Sequence, residues 1–208
     1  AWASLIANKM RSILTMLGII IGVAAVIALV SIGNGVKQDI QNSISSLGSN
    51  LLMVMPGAPR TPGVRPSAGS MKSLKVADYE AIAKLDGVKA ASPMTNGTYV
   101  VIYQNKNWTT SVSGVNANYL DVNNWSMKSG RFLSDKNIQN RERVAVVGKT
   151  VVKNLFGDEN PVGAEIRVKN IPFRIIGVLN SKGSGAMGND QDDMVIIPYT
   201  TAMERVEG

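Results

Sequence analysis

A glycine-rich stretch late in the sequence has the spacing of a dinucleotide-binding loop. Gly183, Gly185 and Gly188 match the pattern GxGxxG, which binds a pyrophosphate when a helix begins at the last glycine. The next five residues, 189–193, read NDQDD and predict a negatively charged turn instead of a helix. Because an acidic turn repels phosphate, the sequence argues against a nucleotide site in this stretch.

The same stretch contains three aspartates that offer oxygen ligands of the kind that Ca²⁺ prefers: Asp190, Asp192 and Asp193. The spacing of an EF-hand and its bidentate glutamate are both missing. We therefore predict a solvated acidic loop and no metal site.

Gly148-Lys149-Thr150 looks like the end of a phosphate-binding loop. That motif needs another glycine about five positions before Gly148, and the sequence has Arg143 there. The pattern therefore predicts an ordinary turn between a strand and a helix.

The sequence contains no histidine and no cysteine. Histidine is the most frequent general base and zinc ligand, so Ser-His-Asp, Cys-His and HExxH chemistry is excluded within these residues. The carboxylates show no recognisable pairing. We predict no catalytic residue, no cofactor-binding residue and no metal ligand, and the sequence does not read as that of an enzyme.

The formal net charge is +7, but the basic residues are scattered and are not interleaved with aromatic residues. This distribution predicts a mildly basic solvated surface and no nucleic-acid partner.

The element that organises the sequence is the apolar run from Leu14 to Gly33, which reads LTMLGIIIGVAAVIALVSIG. It has no charged residue and no proline, and its two hydroxyl side chains, Thr15 and Ser31, can bond to helix carbonyls. As an α-helix this run spans about 30 Å, the thickness of the hydrocarbon core of a bilayer. We predict a transmembrane helix over residues 14–33.

Gly18 and Gly22 form a GxxxG pattern inside this run. Small residues at this spacing let two helix backbones approach closely, which makes both glycines helix-packing candidates. Glycine is also frequent in transmembrane helices in general, so both interpretations stay open.

Residues 1–13 place Trp2, Leu5, Ile6, Met10 and Ile13 at helical spacing, which predicts an amphipathic helix at the membrane interface. Lys9 and Arg11 precede the apolar run without an acidic neighbour, whereas Lys37 on the far side is offset by Asp39. The positive-inside rule then places the N-terminus in the cytoplasm, with Lys9 and Arg11 as cytoplasmic anchors, and residues after about 33 outside it.

An apolar stripe continues beyond the membrane segment at spacings typical of a helix; its members are Ile32, Val36, Ile40, Ile44 and Leu47. Gly33 and Gly35 weaken the junction. We nevertheless predict a stalk helix over residues 34–48 that extends to about Ser46 and is capped by Gly48.

The remaining residues predict an α+β domain. We expect a buried strand at Asn50–Met55, a mobile Pro/Gly/Ser-rich loop from Gly57 to Ser70, a helix from Ser73 or Leu74 to Asp86, and strands at Val88–Met94, Thr98–Gln104 and Trp108–Asn116. Further on we expect a strand at Arg143–Val147, a helix at Lys149–Phe156, a hairpin around Lys169-Asn170, a strand at Met194–Ile197 and a final helix at Tyr199–Val206.

Two stretches carry a family resemblance. Asn8–Lys37, which reads NKMRSILTMLGIIIGVAAVIALVSIGNGVK, resembles the first transmembrane helix of MacB-type ABC transporter permeases, the macrolide-exporter family. Arg143–Leu179 resembles the extracytoplasmic core domain of the same family. Its marks here are Leu155-Phe156-Gly157, Asn160-Pro161-Val162-Gly163 and Ile176-Gly177-Val178.

The resemblance implies a two-lobed extracytoplasmic domain between the first two of four transmembrane helices. We expect a porter-like lobe over residues 49–117, an inserted mixed lobe over 118–197, and the start of the return to the porter-like lobe over 198–208. The sequence would then be a fragment without the ATPase domain and without the C-terminal FtsX-like membrane helices.

The resemblance also implies a function. Such permeases of the bacterial inner membrane work as homodimers with an ABC ATPase domain or subunit, which binds ATP and Mg²⁺. Stalk helices relay ATP hydrolysis to the periplasmic domains, a process called mechanotransmission, and the domains expel drugs, peptides or other amphiphiles. Membrane lipid, a periplasmic adaptor protein and an outer-membrane duct are the other expected partners. The alternatives are an FtsX-like module that regulates periplasmic cell-wall hydrolases and a lipoprotein-releasing permease.

Overall fold

A computed structural model describes residues 9–47, 51–56, 74–185 and 188–206 of the chain. The chain divides into two compact units, residues 1–45 and 46–208. The predicted interfacial helix falls mainly on residues 1–8, and the predicted loop and the Gly48 cap also lie outside the described residues.

The N-terminal unit is dominated by helix α1, which runs without a break over Lys9–Leu47, 39 residues. It includes the predicted membrane segment, residues 9–13 and the predicted stalk. Gly33 and Gly35 do not interrupt it, because each glycine costs a helix only about 1 kcal/mol relative to alanine and still supplies its backbone N–H and C=O to the helix. The predicted helical continuation to about Ser46 is confirmed.

The second unit is built on one seven-stranded sheet. In chain order its elements are α2 (Val76–Ile82), β1 (Thr95–Tyr103), β2 (Lys106–Val115), α3 (Tyr119–Val122), β3 (Met127–Gly130), α4 (Asp135–Gln139), β4 (Val144–Val147), α5 (Lys149–Leu155), β5 (Glu165–Val168), β6 (Ile171–Leu179), β7 (Met194–Pro198) and α6 (Tyr199–Thr201). The strand order is β3-β6-β4-β7-β2-β1-β5, and β5 also pairs with β6. Six strands therefore close into a small barrel, with β3 attached outside the ring.

The core has two layers because alternate residues of the strands face opposite sides. Inside the barrel lie buried apolar side chains that include Val101, Val112, Val147, Ile166, Phe173 and Ile197, joined by Leu155 of α5. On the outer face a second cluster contains Val115, Val146, Ile176 and Ile196 with Tyr119 of α3. Strands β4 and β7 are consequently buried on both faces, which explains their continuous apolar runs.

The hairpin predicted around Lys169-Asn170 is confirmed. Strands β5 and β6 are antiparallel, with Val168 opposite Ile171, so the loop has two residues. Lys169 and Asn170 both have positive φ, 49° and 65°, as a type I′ turn requires. The sequence signal was the pair of alternating apolar runs around a short polar pair.

The final helix begins where predicted, after Pro198, but changes its winding. Tyr199–Thr201 is α-helical and Ala202–Val206 forms a π-helix. Ala202 and Val206 are buried against the barrel core, so both ends of the π-turn are anchored by packing.

Two predicted strands are wrong. In the run Asn50–Met55, predicted as a buried strand, the described residues 51–55 form no strand, and Leu52 is 91% exposed. Residues 88–94, predicted as a strand, are irregular. Both runs have strand-like composition, but composition alone forms no ladder, and neither run is paired with a partner strand within the described part of the chain.

The barrel also crosses the predicted boundary between lobes. Strands β1 and β2 precede residue 117, and β2 pairs with β7, which follows it. The sheet is therefore continuous across this position. The division into a porter-like lobe over 49–117 and an inserted lobe over 118–197 stays a prediction.

Candidate functional site

The candidate membrane segment of α1 is apolar, and its side chains are not covered by other described parts of the protein. A window suitable for spanning a membrane covers Lys9–Gln38, and none of it is buried against other residues that the structure describes. Its large apolar side chains, such as those of Leu17, Ile21 and Leu29, are exposed. A helix that is apolar on all sides and uncovered requires an apolar surrounding, which a bilayer supplies.

The hydroxyl of Thr15, near the start of this segment, is satisfied within the helix. Thr15 Oγ1 donates to the carbonyl oxygens of Arg11 and Ser12, at 2.9 and 3.0 Å. This back-bonding removes the cost of bringing a hydroxyl into hydrocarbon, as the sequence predicted.

Among the predicted helix-packing and stalk residues, those whose side-chain surroundings the structure describes are uncovered on α1. In the described part of the chain, a Cβ added at Gly18 or Gly22 would meet no atom within 4 Å apart from the neighbouring helix backbone. Ile32, Val36 and Ile40 are exposed. The side chains of Ile44 and Leu47 lie outside the described part of the helix, and Lys9 and Arg11 are exposed at its beginning.

In the second unit, the acidic loop is an organised structure and not the solvated loop that the sequence predicted. Asp192 is only 4% exposed. Its carboxylate accepts hydrogen bonds from the hydroxyl of Ser181 and from the backbone N–H groups of Lys182 and Gly183. A buried carboxylate is stable when several donors replace its lost water, and these three do so.

The other two carboxylates connect the loop to neighbouring elements. Thr150 Oγ1 of α5 donates to Asp190 Oδ2 at 2.6 Å, and Asp190 Oδ1 accepts from the backbone N–H of Asp192 at 2.9 Å. Trp108 Nε1 of β2 donates to Asp193 Oδ1 at 2.8 Å. The three aspartates thus act as acceptors for protein donors. Within the described residues no group of three or more metal-binding side chains is found.

Two motifs that are distant in the sequence meet at this loop. Gly148 packs against the backbone of Asp192, and a Cβ at position 148 would collide with the Asp192 carbonyl oxygen. The Gly148 N–H donates to Met194 O at 2.9 Å, and the Thr150 N–H donates to Asp192 O at 3.3 Å. Gly148-Lys149-Thr150 is therefore the predicted strand-to-helix turn, and its glycine and threonine hold the acidic loop.

The glycine pattern at 183–188 serves the same loop. Gly183 and Gly188 have positive φ, 75° and 77°, and an isolated bridge joins Ser184 to Asp190. The next regular element is strand β7. This arrangement lacks the helix N-terminus that a dinucleotide-binding loop uses to bind a pyrophosphate.

Lys182 is a residue of interest that the sequence did not single out. Its Nζ donates to Asn123 O at 2.6 Å and lies 4.7 Å from the centroid of the Trp125 ring. Burial lowers the pKa of Lys182, because the charged ammonium loses water there. No local pattern brings residues 123, 125 and 182 together, so only the fold could reveal the group.

The pKa values of two tyrosines, Tyr119 and Tyr199, are raised. Burial raises the pKa of Tyr119, and a hydrogen bond from the Trp125 side chain acts weakly in the other direction. Burial raises the pKa of Tyr199 as well, assisted by the nearby Tyr79 and Glu80. Both phenols are neutral at physiological pH and serve as packing residues with a polar tip.

Comparison with known proteins adds the family context. Residues 12–208 match the family model described as the MacB-like periplasmic core domain. The chain is 45% identical over its whole length to the macrolide export ATP-binding/permease protein MacB of Rhodospirillum rubrum, and 43% identical over 99% of its length to the protein of that name from Bdellovibrio bacteriovorus. In each case it spans 32% of the relative, about a third of its length.

Solved structures show the same fold. The periplasmic region of MacB from Actinobacillus actinomycetemcomitans matches with a TM-score of 0.66 at 26% identity, covering 82% of this chain and 74% of that one. The extracellular domain of the noncanonic ABC-type transporter YknZ from Gram-positive bacteria matches with a TM-score of 0.57 at 20% identity, covering 65% and 67%.

Proposed function

This chain belongs to the family of MacB-like periplasmic core domains, and from this membership we propose that it is the first membrane helix and periplasmic domain of a permease in an ATP-driven exporter. The cargo would be drugs, peptides or other amphiphiles. The names of the two relatives, which describe ATP-binding/permease proteins for macrolide export, support this class of activity.

The observation that carries the proposal is the unbroken helix α1. It continues from a segment suited to a bilayer to Leu47, well beyond the last residue of the apolar run. Its 39 residues correspond to a rod of about 58 Å at the usual rise per residue. A continuous rod can carry a displacement from the cytoplasmic side to the periplasmic side, which is the requirement of mechanotransmission.

The proposal includes the partners that the chain itself does not supply. ATP and Mg²⁺ would bind to an ABC ATPase domain or subunit, since this chain offers no phosphate loop. The permease would act as a homodimer, with an adaptor protein and an outer-membrane duct completing the export route. The N-terminus, with Lys9 and Arg11, would lie in the cytoplasm and the barrel in the periplasm of a bacterial inner-membrane protein.

The test is to break the rod without changing its composition elsewhere. Val36→Pro removes a backbone donor in the interior of α1, within the predicted stalk, and places a ring against the preceding turn, at a cost of about 3 kcal/mol or more. In the full-length transporter we expect export to be lost while ATP hydrolysis by the ATPase domain continues. Val36→Ala, which keeps the helix, is the matched control and should export normally. Undiminished export by a well-expressed Val36→Pro protein would overturn the lever mechanism.

A further inference from the structure

We propose that the acidic loop and the outer face of the barrel form a binding site for a neutral sugar ring. The site is a cavity of about 260 Å³ bordered by strands β1 and β2, helix α3 and the loop before β7. This volume lies slightly below the usual range of about 300–1,000 Å³ for ligand pockets, which suits one small ring. The inference is independent of the transport function proposed above.

The floor of the cavity offers hydrogen-bonding groups in a fixed arrangement. Asn96 Oδ1 accepts from the hydroxyl of Ser111 at 2.7 Å and from that of Ser113 at 3.4 Å. The amide orientation of Asn96 is therefore set by two serines. Its Nδ2 protons have no acceptor among the described residues, so they are available to a ligand hydroxyl.

The sides of the cavity add a second set of polar groups and an aromatic wall. Gln191 lines the cavity with a side-chain amide that makes no hydrogen bond to a described residue. Asp193 accepts the hydrogen bond from Trp108 through Oδ1, which leaves Oδ2 as an acceptor. Trp125 and the largely buried Tyr119 border the cavity on the side of α3, and Lys182 Nζ lies 4.7 Å from the centroid of the Trp125 ring. Donors, acceptors and an aromatic wall around one small space are the groups that a ring with several hydroxyls needs.

The charges of the lining disfavour the other ligand classes. An anion would meet Asp190 and Asp193 opposite a single basic residue, Lys182. A metal ion would compete with the protein donors that already bond to Asp190 and Asp192. A purely apolar ligand would leave the polar floor unsatisfied. A neutral polyhydroxylated ring satisfies the floor and the walls together.

Binding can be measured on the 208-residue chain in micelles of a detergent without a sugar headgroup. With methyl β-D-glucopyranoside as the probe, saturation-transfer-difference NMR should show transfer to the ring protons, with a dissociation constant on the order of 1 mM for so small a ligand. A tetrasaccharide of N-acetylglucosamine is the second probe, and tighter binding than that of the monosaccharide would identify the end of a glycan polymer as the source of the ring.

Variants locate the site. Gln191→Ala and Asn96→Ala should each raise the dissociation constant at least about fivefold, and Ser111→Phe, which fills the cavity, should abolish binding. Asn105→Ala, in the exposed turn between β1 and β2, is the matched control and should bind as the wild type does. Gln191 makes no side-chain bond to a described residue, so its variant should fold even if Asn96→Ala does not. The proposal is overturned if neither probe binds at about 50 mM, or if the folded Gln191→Ala and Ser111→Phe proteins bind as well as the wild type.

Discussion

The indole nitrogen of Trp108 donates a 2.8 Å hydrogen bond to Oδ1 of Asp193, a residue 85 positions away in the sequence. Trp108 lies on β2, and Asp193 directly precedes β7, the strand that pairs with β2. The bond therefore fixes the end of the acidic loop at the point where the loop enters the barrel.

The first prediction concerns this bond. Trp108→Phe should lower the free energy of unfolding by about 1.5–3 kcal/mol, the usual range for a hydrogen bond to a charged group. Asp193→Asn should cost less, because the amide oxygen can still accept. Urea unfolding followed by circular dichroism, in detergent, measures both.

A double-mutant cycle with Trp108→Phe and Asp193→Ala separates the bond from the packing of the indole ring. A coupling energy near zero would mean that Trp108 acts only through packing.

The second prediction uses the close approach of Gly148 to the Asp192 backbone. Gly148→Ala should destabilise the protein by about 1–3 kcal/mol, because the new methyl group must displace the Asp192 carbonyl and with it the acidic loop. The φ of Gly148 is −83°, which alanine adopts freely, so the effect is one of space and not of backbone strain. The adjacent exposed Lys149→Ala is the control and should change stability by less than about 0.5 kcal/mol. Equal stability of the two variants would contradict the close approach.

The sequence predicted the parts of this molecule that depend on local composition. Helix α1 follows from an uncharged apolar run, and the β5–β6 hairpin follows from two apolar runs around Lys169-Asn170. Strands β4 and β7 follow from short apolar runs bounded by turn residues. In each case the signal and the structure involve the same few residues.

The parts that were missed depend on contacts between distant residues. The closure of the barrel rests on the pairing of β5 with both β1 and β6, and the residues of β5 give no sign of a second partner. Asp192 belongs to an acidic run typical of solvated loops, and its burial is possible only because Ser181, Lys182 and Gly183 supply donors. Residues 51–55 are a strand prediction that failed for the same reason, since residues of strand-like composition form no strand without a pairing partner.

The third prediction concerns alkaline pH. Burial raises the pKa of Tyr119 above its ordinary value of 10.0. Above about pH 10 the unfolded protein therefore loses this proton while the folded protein keeps it, so the tyrosine lowers stability as the pH rises. Tyr119→Phe should reduce the loss of stability between about pH 9 and 11, as measured by urea unfolding at each pH.

Lys182 should change stability with pH in the opposite direction to Tyr119, and urea unfolding at each pH measures this as well. Its pKa is lowered by burial, so the folded protein releases this proton before the unfolded protein does, and its contribution to stability rises as the pH approaches 10.5. Lys182→Met should make the alkaline loss of stability steeper. Identical pH profiles for wild type, Tyr119→Phe and Lys182→Met would contradict both assignments.

The fourth prediction tests the orientation in the membrane. Because the sequence has no cysteine, a single introduced cysteine reports its position without background. In intact inner-membrane vesicles of right-side-out orientation, an impermeant maleimide should label Asn140→Cys, which is exposed in the second unit. It should label Asn8→Cys, a substitution that keeps both Lys9 and Arg11, only after the vesicles are opened. The reverse pattern would place the N-terminus outside the cytoplasm.

The fifth prediction concerns the two glycines of the membrane helix. Among the described residues, no atom outside the neighbouring helix backbone lies within 4 Å of a Cβ at Gly18 or Gly22, so leucine fits at either position and is a better helix former. If the glycines let a second copy of the helix approach closely, Gly22→Leu should weaken that contact without destabilising the chain itself. We expect the yield of disulfide-linked dimer through Ala25→Cys, on the same helix face, to fall by about half or more when Gly22→Leu is added. Ala24→Leu changes a different face and should leave the yield unchanged. Equal yields from the two leucine variants would show that the glycines face lipid.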